Sequence, residues 1–425
     1  MITFENFDLL PEIFQALKKK GYTKPTPIQE KSIPILLKGK DLIGIAQTGT
    51  GKTASFSLPI INRLAKDKKK AKPARVRALI LTPTRELASQ IEENVKDYGK
   101  GLALSSCVVF GGVNIKSQIK NMQKGQQILI ATPGRLLDLM GDGHVLFDQL
   151  EVFVLDEADR MLDMGFIHDI KRIIKKLPPK RQTVMFSATM SKDIEKIANG
   201  LLHKPEKVEV TPPATTVERI VQSVVIVDKK KKPLLLKEII NSQKIKTALV
   251  FSRTKHGCDR IVRNLEKYKI SAAAIHGNKS QNARERALSN FKSGDIQILV
   301  ATDIAARGID IPSVEFVFNY DIPNDPNSYV HRIGRTARAG REGVAIAFCD
   351  SEEEKLLRAV EKLIKYTIPT DKELTAFAQK ITLPRPPLPG AKKAGAVKPA
   401  GRQNMNKNSG SSRRSPRRKK KPSKA

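Results

Sequence analysis

A chain of 425 residues is too long for one ordinary hydrophobic core, so two domains of about 150 to 200 residues are expected. Lysine and arginine total 77 against 43 aspartates and glutamates, and the formal charge of +34 predicts a polyanionic partner. Hydrophobic residues make up 40% of the chain, which excludes a basic protein that is disordered throughout.

The three cysteines, Cys107, Cys258 and Cys349, lie far apart and form no Cys-x-x-Cys pair, which argues against a disulfide scaffold or a zinc site. The first eight residues carry acidic side chains where a signal peptide would have a basic start, and no apolar run approaches about 18 residues. We therefore expect a soluble, cytoplasmic protein that binds nucleic acid and no membrane. An anionic membrane surface is the weaker alternative, and the oligomeric state stays open.

Short apolar runs alternate along the chain with stretches of helical periodicity, and polar or glycine-rich residues follow each run. This pattern predicts parallel strands that are buried on both faces, and hence an α/β fold. In the first half the predicted strands are 42–46, 78–81, 107–110, 128–131, 152–155 and 184–186. In the second half they are 224–227, 248–251, 272–275, 296–301, 316–318 and 344–348. Ligands of such sheets bind beyond the carboxyl ends of the strands.

Residues 210–217 include two prolines and three threonines, which suit an exposed linker. The predicted organisation is a first domain over 1–209, a linker over 210–218, a second domain over 219–380 and a tail over 381–425. Residues 383–425 hold fourteen basic residues and no acidic one, which predicts a disordered tail and leaves twenty excess positive charges on the rest. The shorter lysine clusters at 66–72 and 229–232 are interpreted as solvated loops.

A glycine-rich loop follows the first predicted strand and opens a predicted helix, which is the context of a Walker A phosphate loop. Its members are Ala46, Gln47, Thr48, Gly49, Thr50, Gly51, Lys52 and Thr53. In such a loop backbone N–H groups surround the phosphates, the lysine reaches the β and γ phosphates, and the threonine hydroxyl ligates Mg²⁺. The general pattern begins with glycine where this chain has Ala46, and the alternative is a chance glycine-rich turn that ends in Lys-Thr.

Asp156 and Glu157 directly follow the apolar run 152–155. Asp156 would hold Mg²⁺, largely through water, and Glu157 would orient or deprotonate the water that attacks the γ phosphate. Lys52, Asp156 and Glu157 are therefore the predicted catalytic residues of the first domain, with ATP and Mg²⁺ as cofactors. The alternative makes the acid pair a helix cap and a first-turn acid.

With Ala158 and Asp159 the acid pair completes the string Asp-Glu-Ala-Asp, and over roughly residues 2–370 the chain resembles the DEAD-box ATP-dependent RNA helicases. The resemblance implies two tandem RecA-like domains with parallel sheets, and ATP-driven separation of RNA strands. The sequences of residues 111–114 and 319–340 are most similar to those of the bacterial RhlE-like branch. Ribosomal precursors and RNA-decay proteins are the candidate partners, and the cellular task stays open between ribosome assembly, messenger decay and cold adaptation.

Residues 21–29 resemble the family's Q motif, which implies that Gln29 binds adenine, with Tyr22 and the upstream Phe4 as further ATP-binding residues. A glutamine amide can donate and accept hydrogen bonds together, as the N7 and 6-amino group of adenine require, and an aromatic ring can stack on the base. The resemblance therefore implies a preference for ATP over GTP.

Further motifs of the resemblance imply contacts to the RNA backbone, because hydroxyls, arginines and glycine N–H groups hold a strand without reading its sequence. The RNA-binding residues so implied are Pro83, Thr84, Arg85, Gly112, Thr132, Gly134, Arg135, Arg253 and Thr302. The residues implied to couple ATP state to strand separation are Asp159, Ser187, Thr189 and His331. Residues 281–284 follow the family pattern as well. The alternative for each short string alone is a strand-end turn.

The second domain is implied to close over ATP that is bound to the first. Gly308 and Asp310 would then bind the nucleotide, with Asp310 at the ribose, while Arg335 and Arg338 would reach the γ phosphate as catalytic arginine fingers. The alternative is that Arg332, Arg335 and Arg338, spaced by three, solvate one face of a helix.

The predicted mechanism is joint closure of the two domains by ATP and single-stranded RNA, local opening of a duplex, and reset by hydrolysis. The basic tail would tether structured RNA. Three alternatives are a DNA helicase or translocase, an ATP-independent RNA chaperone that acts through the tail, and a membrane-surface ATPase. Contacts to the RNA 2′-hydroxyl would distinguish an RNA helicase from the first of these.

Overall fold

Parallel strands that alternate with helices build both lobes of the protein. The computed structural model describes residues 2–47, 49–210, 220–306, 314–337 and 343–382. The first sheet has the strand order β3-β4-β2-β5-β6-β1-β7, and all its pairings are parallel. Its strands are β1 (Leu42–Ile45), β2 (Val76–Leu81), β3 (Ser106–Val109), β4 (Gln126–Ala131), β5 (Val152–Leu155), β6 (Gln182–Ser187) and β7 (Glu206–Glu209).

Helices cover both faces of the first sheet. They are α1 (Pro11–Lys19), α2 (Pro27–Leu37), α3 (Lys52–Lys66), α4 (Arg85–Tyr98), α5 (Ile115–Met122), α6 (Pro133–Gly141), α7 (Ala158–Asp163), α8 (Ile167–Ile174) and α9 (Lys192–Leu201). Side chains of a strand alternate between the two faces, so Ala78 and Ile80 of β2 join one hydrophobic core while Leu79 and Leu81 join the other. Burial on both faces explains why the strand sequences are continuously apolar.

The second lobe repeats this architecture with six parallel strands in the order β10-β11-β9-β12-β13-β8. Its strands are β8 (Ile220–Ile226), β9 (Ala248–Phe251), β10 (Ala272–Ile275), β11 (Ile298–Ala301), β12 (Phe316–Asn319) and β13 (Gly343–Cys349). Its helices are α10 (Lys232–Ser242), α11 (Lys255–Lys267), α12 (Gln281–Ser293), α13 (Asp303–Ala306), α14 (Pro326–Ile333), α15 (Glu354–Ile364) and α16 (Lys372–Lys380). The two sheets confirm the predicted α/β class with tandem RecA-like lobes.

All twelve predicted strands overlap observed ones, but β7 was not predicted. Its sequence, Glu-Lys-Val-Glu, has no apolar run, because β7 is an edge strand in which only Val208 is buried. β7 pairs with β1, and the N–H of Val210, just beyond it, donates to the carbonyl of Ile45 (2.9 Å).

The lysine cluster 229–232 was predicted to be solvated, and for Lys232 this is wrong. Lys232 is 1% exposed, and its ammonium pairs with Asp350 (3.1 Å) and with the buried Glu353. Lys232 is therefore part of an ion pair in the core. It is the first residue of α10, and its two carboxylate partners follow β13.

Most of the predicted linker, from 211 on, and the tail from 383 on lie outside the described residues. The predicted domain boundaries therefore stay a prediction. In the described ranges, no helix is long and apolar enough to cross a membrane.

Candidate functional site

The predicted phosphate loop connects β1 to α3. Gly49 and Gly51 adopt φ values of +87° and +96°, a left-handed backbone that glycine reaches without strain. A Cβ on Gly51 would lie 2.4 Å from the side-chain nitrogen of Gln29, so close packing also requires glycine there. The hydroxyl of Thr50 donates to the carbonyl of Gln47 (2.7 Å), which closes the turn.

Lys52, the first residue of α3, carries the cation of this loop. It is 6% exposed, and its ammonium group has no hydrogen-bond partner among the described residues. A buried cation without a partner is costly, and a bound anion would remove that cost. The free N–H groups at the start of the 15-residue α3 add a positive potential at the same place. These features fit the phosphates of ATP.

The other loop members flank this cation. Ala46 is buried at the end of β1, and Thr53 is half-buried in the first turn of α3. Thr48 lies outside the described residues.

Asp156 and Glu157 follow β5 and are 2% and 3% exposed. Burial raises the pKa of Asp156 to about 7. Burial alone would also raise the pKa of Glu157, but the charges of Arg160, Lys52 and Arg335 hold that pKa below its usual value. Glu157 and Arg160 form a buried ion pair of 2.8 Å. At neutral pH Glu157 is thus the firmly ionised carboxylate, and Asp156 is the one that an added cation would ionise.

Thr53 and Asp156 are the residues that would hold Mg²⁺. Hydroxyl and carboxylate oxygens suit this ion, which keeps several waters and phosphate oxygens as its other ligands. Because the pKa of Asp156 lies near neutrality, cation binding there must displace a proton from part of the population. The donor set fits Mg²⁺ on these grounds.

Mg²⁺-dependent ATP binding should weaken as the pH falls below about 7, because Asp156 is ionised above its pKa and protonated below it. The apparent affinity should then drop by up to about tenfold per pH unit. Titration of a fluorescent ATP analogue at several pH values, with Mg²⁺ and with EDTA, measures the effect. Asp156→Asn is the control, since its residual pH dependence belongs to the nucleotide. A variant with the wild-type pH profile would contradict the assignment.

Gln29, predicted to bind adenine, lies against the phosphate loop. Its side-chain N–H donates to the carbonyl of Gly51 (3.1 Å), and its side-chain oxygen accepts from the N–H of Thr26 (2.9 Å). An amide has two N–H donors and two acceptor lone pairs, so these bonds use one of each. The Q motif therefore joins the loop and keeps hydrogen-bonding capacity at its edge.

The two predicted aromatic residues differ in exposure. Phe4 is 4% exposed and packs edge-on against Phe7, with ring centroids 6.1 Å apart. Tyr22 is 40% exposed and lies beside Tyr98. The stacking roles of Phe4 and Tyr22 stay predictions.

Three of the predicted RNA-binding motifs meet at the carboxyl ends of β2, β3 and β4. The guanidinium of Arg85 lies so close to Gly112 that a Cβ there would be 2.0 Å from it, and Gly112 also has φ +80°. Arg135 donates to the carbonyl of Val113 at 3.3 and 3.4 Å. The strand-end residues that surround these contacts are Pro83, Thr84, Thr132 and Gly134. Hydroxyls, arginines and glycine N–H groups are thus gathered on one edge.

The predicted coupling residues of the first lobe are in direct contact. The carboxylate of Asp159 accepts from the N–H groups of Ala188 (3.1 Å) and Thr189 (3.2 Å). The hydroxyl of Ser187 donates to the carbonyl of Thr189 (2.7 Å). The segment after β6 is therefore held by the last residue of the Asp-Glu-Ala-Asp string.

In the second lobe, Arg253 follows β9 and is held through both its backbone and its side chain. Its N–H donates to the carboxylate of Asp321 (3.0 Å), which also accepts from Ser252 (2.7 Å), and its guanidinium pairs with Glu353 at 3.0 Å. Thr302 follows β11, adjacent to β9 in the sheet. Sequence reasoning missed Asp321 and Glu353, because their partners lie 68 and 100 positions away.

Arg332 and Arg335 are 1% and 3% exposed, so the interpretation that they solvate a helix face is wrong for both. Arg332 forms a two-pronged ion pair with Asp303 (2.6 and 2.7 Å) and donates to the carbonyl of Asp321. The charge of Arg335 contributes to the lowered pKa of Glu157, so this arginine acts electrostatically on a carboxylate of the other lobe.

Four further predictions stay untested. Gly308, Asp310 and Arg338 lie outside the described residues, and His331 is half-buried in α14.

An ion pair joins the two lobes. Glu86 at the start of α4 and Arg284 in α12 approach to 2.9 Å, and they are 5% and 9% exposed. The sequence showed only that 281–284 follow a family pattern. No local signal in the sequence could identify Glu86 as the partner of Arg284, because almost 200 positions separate the two residues.

Glu86→Arg and Arg284→Glu should each lower RNA-stimulated ATP hydrolysis by about tenfold or more, because breaking a buried ion pair across an interface costs about 2 kcal/mol or more. The double exchange restores the pair with reversed polarity and should recover most of the loss. Steady-state phosphate release at saturating RNA measures both effects. Glu92→Arg is the control, since Glu92 pairs with Lys96 inside α4. A double variant as slow as the single ones would contradict this role.

Two family models match the chain. The model described as "DEAD/DEAH box helicase" matches residues 26–197, and the model described as "Helicase conserved C-terminal domain" matches residues 230–340. The first match contains the phosphate loop and the acid pair, and the second contains Arg335.

Curated proteins and solved structures resemble the chain over most of its length. An ATP-dependent RNA helicase CshA from Listeria monocytogenes is 46% identical over 365 residues, which cover 86% of this chain and 69% of that protein. A DEAD-box ATP-dependent RNA helicase CshA from Geobacillus kaustophilus is 43% identical, with 86% and 77% covered. The structure of S. cerevisiae Dbp5 bound to RNA and ADP BeF3 has a TM-score of 0.75 and 32% identity, and covers 89% of this chain and 99% of that one.

Proposed function

Because this chain belongs to the DEAD-box ATP-dependent RNA helicases, we propose that ATP and single-stranded RNA close its two lobes together and that the closed state opens a duplex locally. The chain is an ATP-hydrolysing RNA helicase. The observation that carries the proposal is the contact between the lobes at Glu86 and Arg284 (2.9 Å), beside which the charge of Arg335 in the second lobe lowers the pKa of Glu157 in the first.

Each residue of the ATP site has a separate task in this proposal. Lys52 binds the β and γ phosphates, and Thr53 and Asp156 hold Mg²⁺, which when bound neutralises phosphate charge. Glu157 orients the attacking water with a carboxylate that Arg160 keeps ionised. Arg335 adds positive charge at the γ phosphate, and because it comes from the other lobe, hydrolysis depends on closure.

The carboxyl edge around Arg85, Gly112 and Arg135 would hold the RNA strand, with Arg253 and Thr302 on the second lobe. Such groups bind phosphate and sugar, so we expect low sequence specificity. The link between Asp159 and the segment 187–189 supports a coupling role, because the string that serves ATP also holds that segment.

Several finer assignments remain proposals from the sequence. They are the RhlE-like branch, a cytoplasmic location, ribosomal precursors or RNA-decay proteins as partners, and a tethering role for the basic residues 383–425. If all fourteen charges of that segment engaged RNA, the log-log salt slope of binding would steepen by about 10, and we expect about half of that.

Strand displacement tests the proposed function against its alternatives. A labelled RNA duplex with a single-stranded overhang should be separated with ATP and Mg²⁺ and left intact without ATP, whereas a DNA duplex of the same sequence should be left intact in both cases. Equal displacement of DNA would favour a DNA helicase, and displacement without ATP would favour a chaperone. Either result would overturn the proposal.

A further inference from the structure

The loop between α3 and β2 presents lysines on a fixed backbone. The carbonyl of Lys69 accepts from the buried Arg77 (2.9 Å) and from the buried Gln127 (3.0 Å), and the N–H of Lys72 donates to Gln149 (2.9 Å). Four lysine side chains of this loop are exposed, those of Lys68, Lys69, Lys70 and Lys72. The backbone that carries these lysines is therefore held at Lys69 and Lys72 by side chains outside the loop.

A fifth lysine adjoins this loop. Lys124 is exposed in the turn before β4, and the neighbouring Gly125 lies so close to the loop that a Cβ on it would be 2.2 Å from the carbonyl oxygen of Ala71. Because β2 and β4 are adjacent and parallel, Lys124 and the loop lie side by side where the strands begin.

Nearby acidic side chains are neutralised by arginines. Asp67 and Glu151 both pair with the buried Arg77, Asp67 also lies 3.4 Å from the ammonium of Lys69, and Asp148 pairs with Arg75 at 2.9 Å. Four of the five lysines form no ion pair with any described residue, namely Lys68, Lys70, Lys72 and Lys124. Positive charge thus dominates the exposed surface even though acids are present in the sequence.

We propose that Lys68, Lys69, Lys70, Lys72 and Lys124, which we name the lysine surface, bind the phosphates of structured RNA that flanks the strand held at the carboxyl edge. This inference rests on the proposed function. It replaces the interpretation of 66–72 as a merely solvated loop. Ammonium groups bind phosphates as point charges and need no base contacts, which suits a duplex or a hairpin stem.

RNA fits this surface better than a protein does. The segment 67–73 contains no aromatic and no long aliphatic side chain, the residue types that anchor protein interfaces. The lysine surface also lies on the same lobe as the carboxyl edge around Arg85, Gly112 and Arg135, which we name the RNA groove, but at the opposite edge of the sheet. The six residues of β2 separate the two edges by about 20 Å, so only RNA that extends well beyond the groove reaches both.

Two RNAs test the proposal on the full chain. One is a single strand of about ten nucleotides, enough for the groove alone, and the other is the same strand joined to a long hairpin stem. The variant replaces Lys68, Lys69, Lys70 and Lys72 by alanine. The matched control replaces four exposed lysines near the strand starts of the second lobe, Lys244, Lys246, Lys267 and Lys269. Fluorescence anisotropy at several salt concentrations gives the Kd, and phosphate release gives the stimulation by RNA.

The variant should bind the hairpin RNA about tenfold more weakly at low salt, with a salt slope reduced by about 2 to 3, and should bind the short strand as the wild type does. The control should keep wild-type affinity for both RNAs. Unchanged hairpin binding, an equal loss with the short strand, or an equal loss in the control would overturn the proposal. The proposal would also be overturned if the four-lysine variant lost binding to phosphatidylserine vesicles or to polyglutamate and kept wild-type binding to the hairpin RNA. If wild-type ATP hydrolysis responds to neither RNA, the proposed function itself fails.

Discussion

Replacing Lys52 by alanine is expected to lower ATP hydrolysis by about 10³-fold and to abolish ATP-dependent strand separation. Lys52 is buried without a hydrogen-bond partner among the described residues, and it is the cation at the start of α3. Removing it should weaken ATP binding as well as hydrolysis, because its charge serves the bound phosphates and the transition state alike. Phosphate release and binding of a fluorescent ATP analogue measure the two effects.

Lys66→Ala is the matched control for this experiment. Lys66 ends the same helix, is exposed, and pairs with Asp8 at the surface, so its loss should leave hydrolysis unchanged. Strand separation that survives Lys52→Ala at the wild-type rate in the presence of ATP would refute an ATP-driven mechanism. That result would favour a chaperone that acts through the basic C-terminal residues.

Arg335→Ala should lower RNA-stimulated hydrolysis by about 10³-fold while ATP affinity changes little. Arg335 is 3% exposed, and its charge lowers the pKa of Glu157 in the other lobe, so the proposed arginine finger should reach the phosphates only when the lobes are closed. Removing an arginine that stabilises only the transition state lowers kcat alone, whereas removing Lys52 should lower kcat and weaken ATP binding as well. Comparing the two variants therefore separates ground-state binding from closure-dependent catalysis.

Arg358→Ala is the control for this second experiment, because Arg358 lies exposed in α15, where its one ion pair with a described residue is a long contact of 3.8 Å to Glu354. Arg335→Lys keeps the positive charge but lacks the planar guanidinium, so its rate of RNA-stimulated hydrolysis should lie between those of the wild type and the alanine variant. A large rise in the ATP Kd with unchanged kcat would contradict the arginine-finger role.

The sequence predicted the parts of the fold that depend on continuous apolar runs. Strands such as β2 and β4 are buried on both faces, so their composition alone identifies them. β7 was not predicted, because an edge strand needs few apolar side chains. Lys232 was misjudged because a lysine run shows nothing of carboxylates more than a hundred positions further along the chain.

The candidate site divides in the same way. Residues such as Lys52 and Asp156 were predicted because chemistry and spacing within one short motif identify them. Glu86 and Arg284 were not paired in advance, since their contact exists only after both lobes have folded and met. Short motifs therefore indicate which chemistry is present, while long-range contacts decide how the two lobes act on one another.

The last described residue of the first lobe lies directly beside the nucleotide loop. Val210 donates a hydrogen bond to the carbonyl of Ile45, the final residue of β1, and the preceding strand β7 pairs along the length of β1. The connection to the second lobe is thus anchored to the strand that carries the phosphate loop. A pull on Val210 from the second lobe would therefore reach, through these hydrogen bonds, the strand whose end continues into the backbone of the phosphate loop.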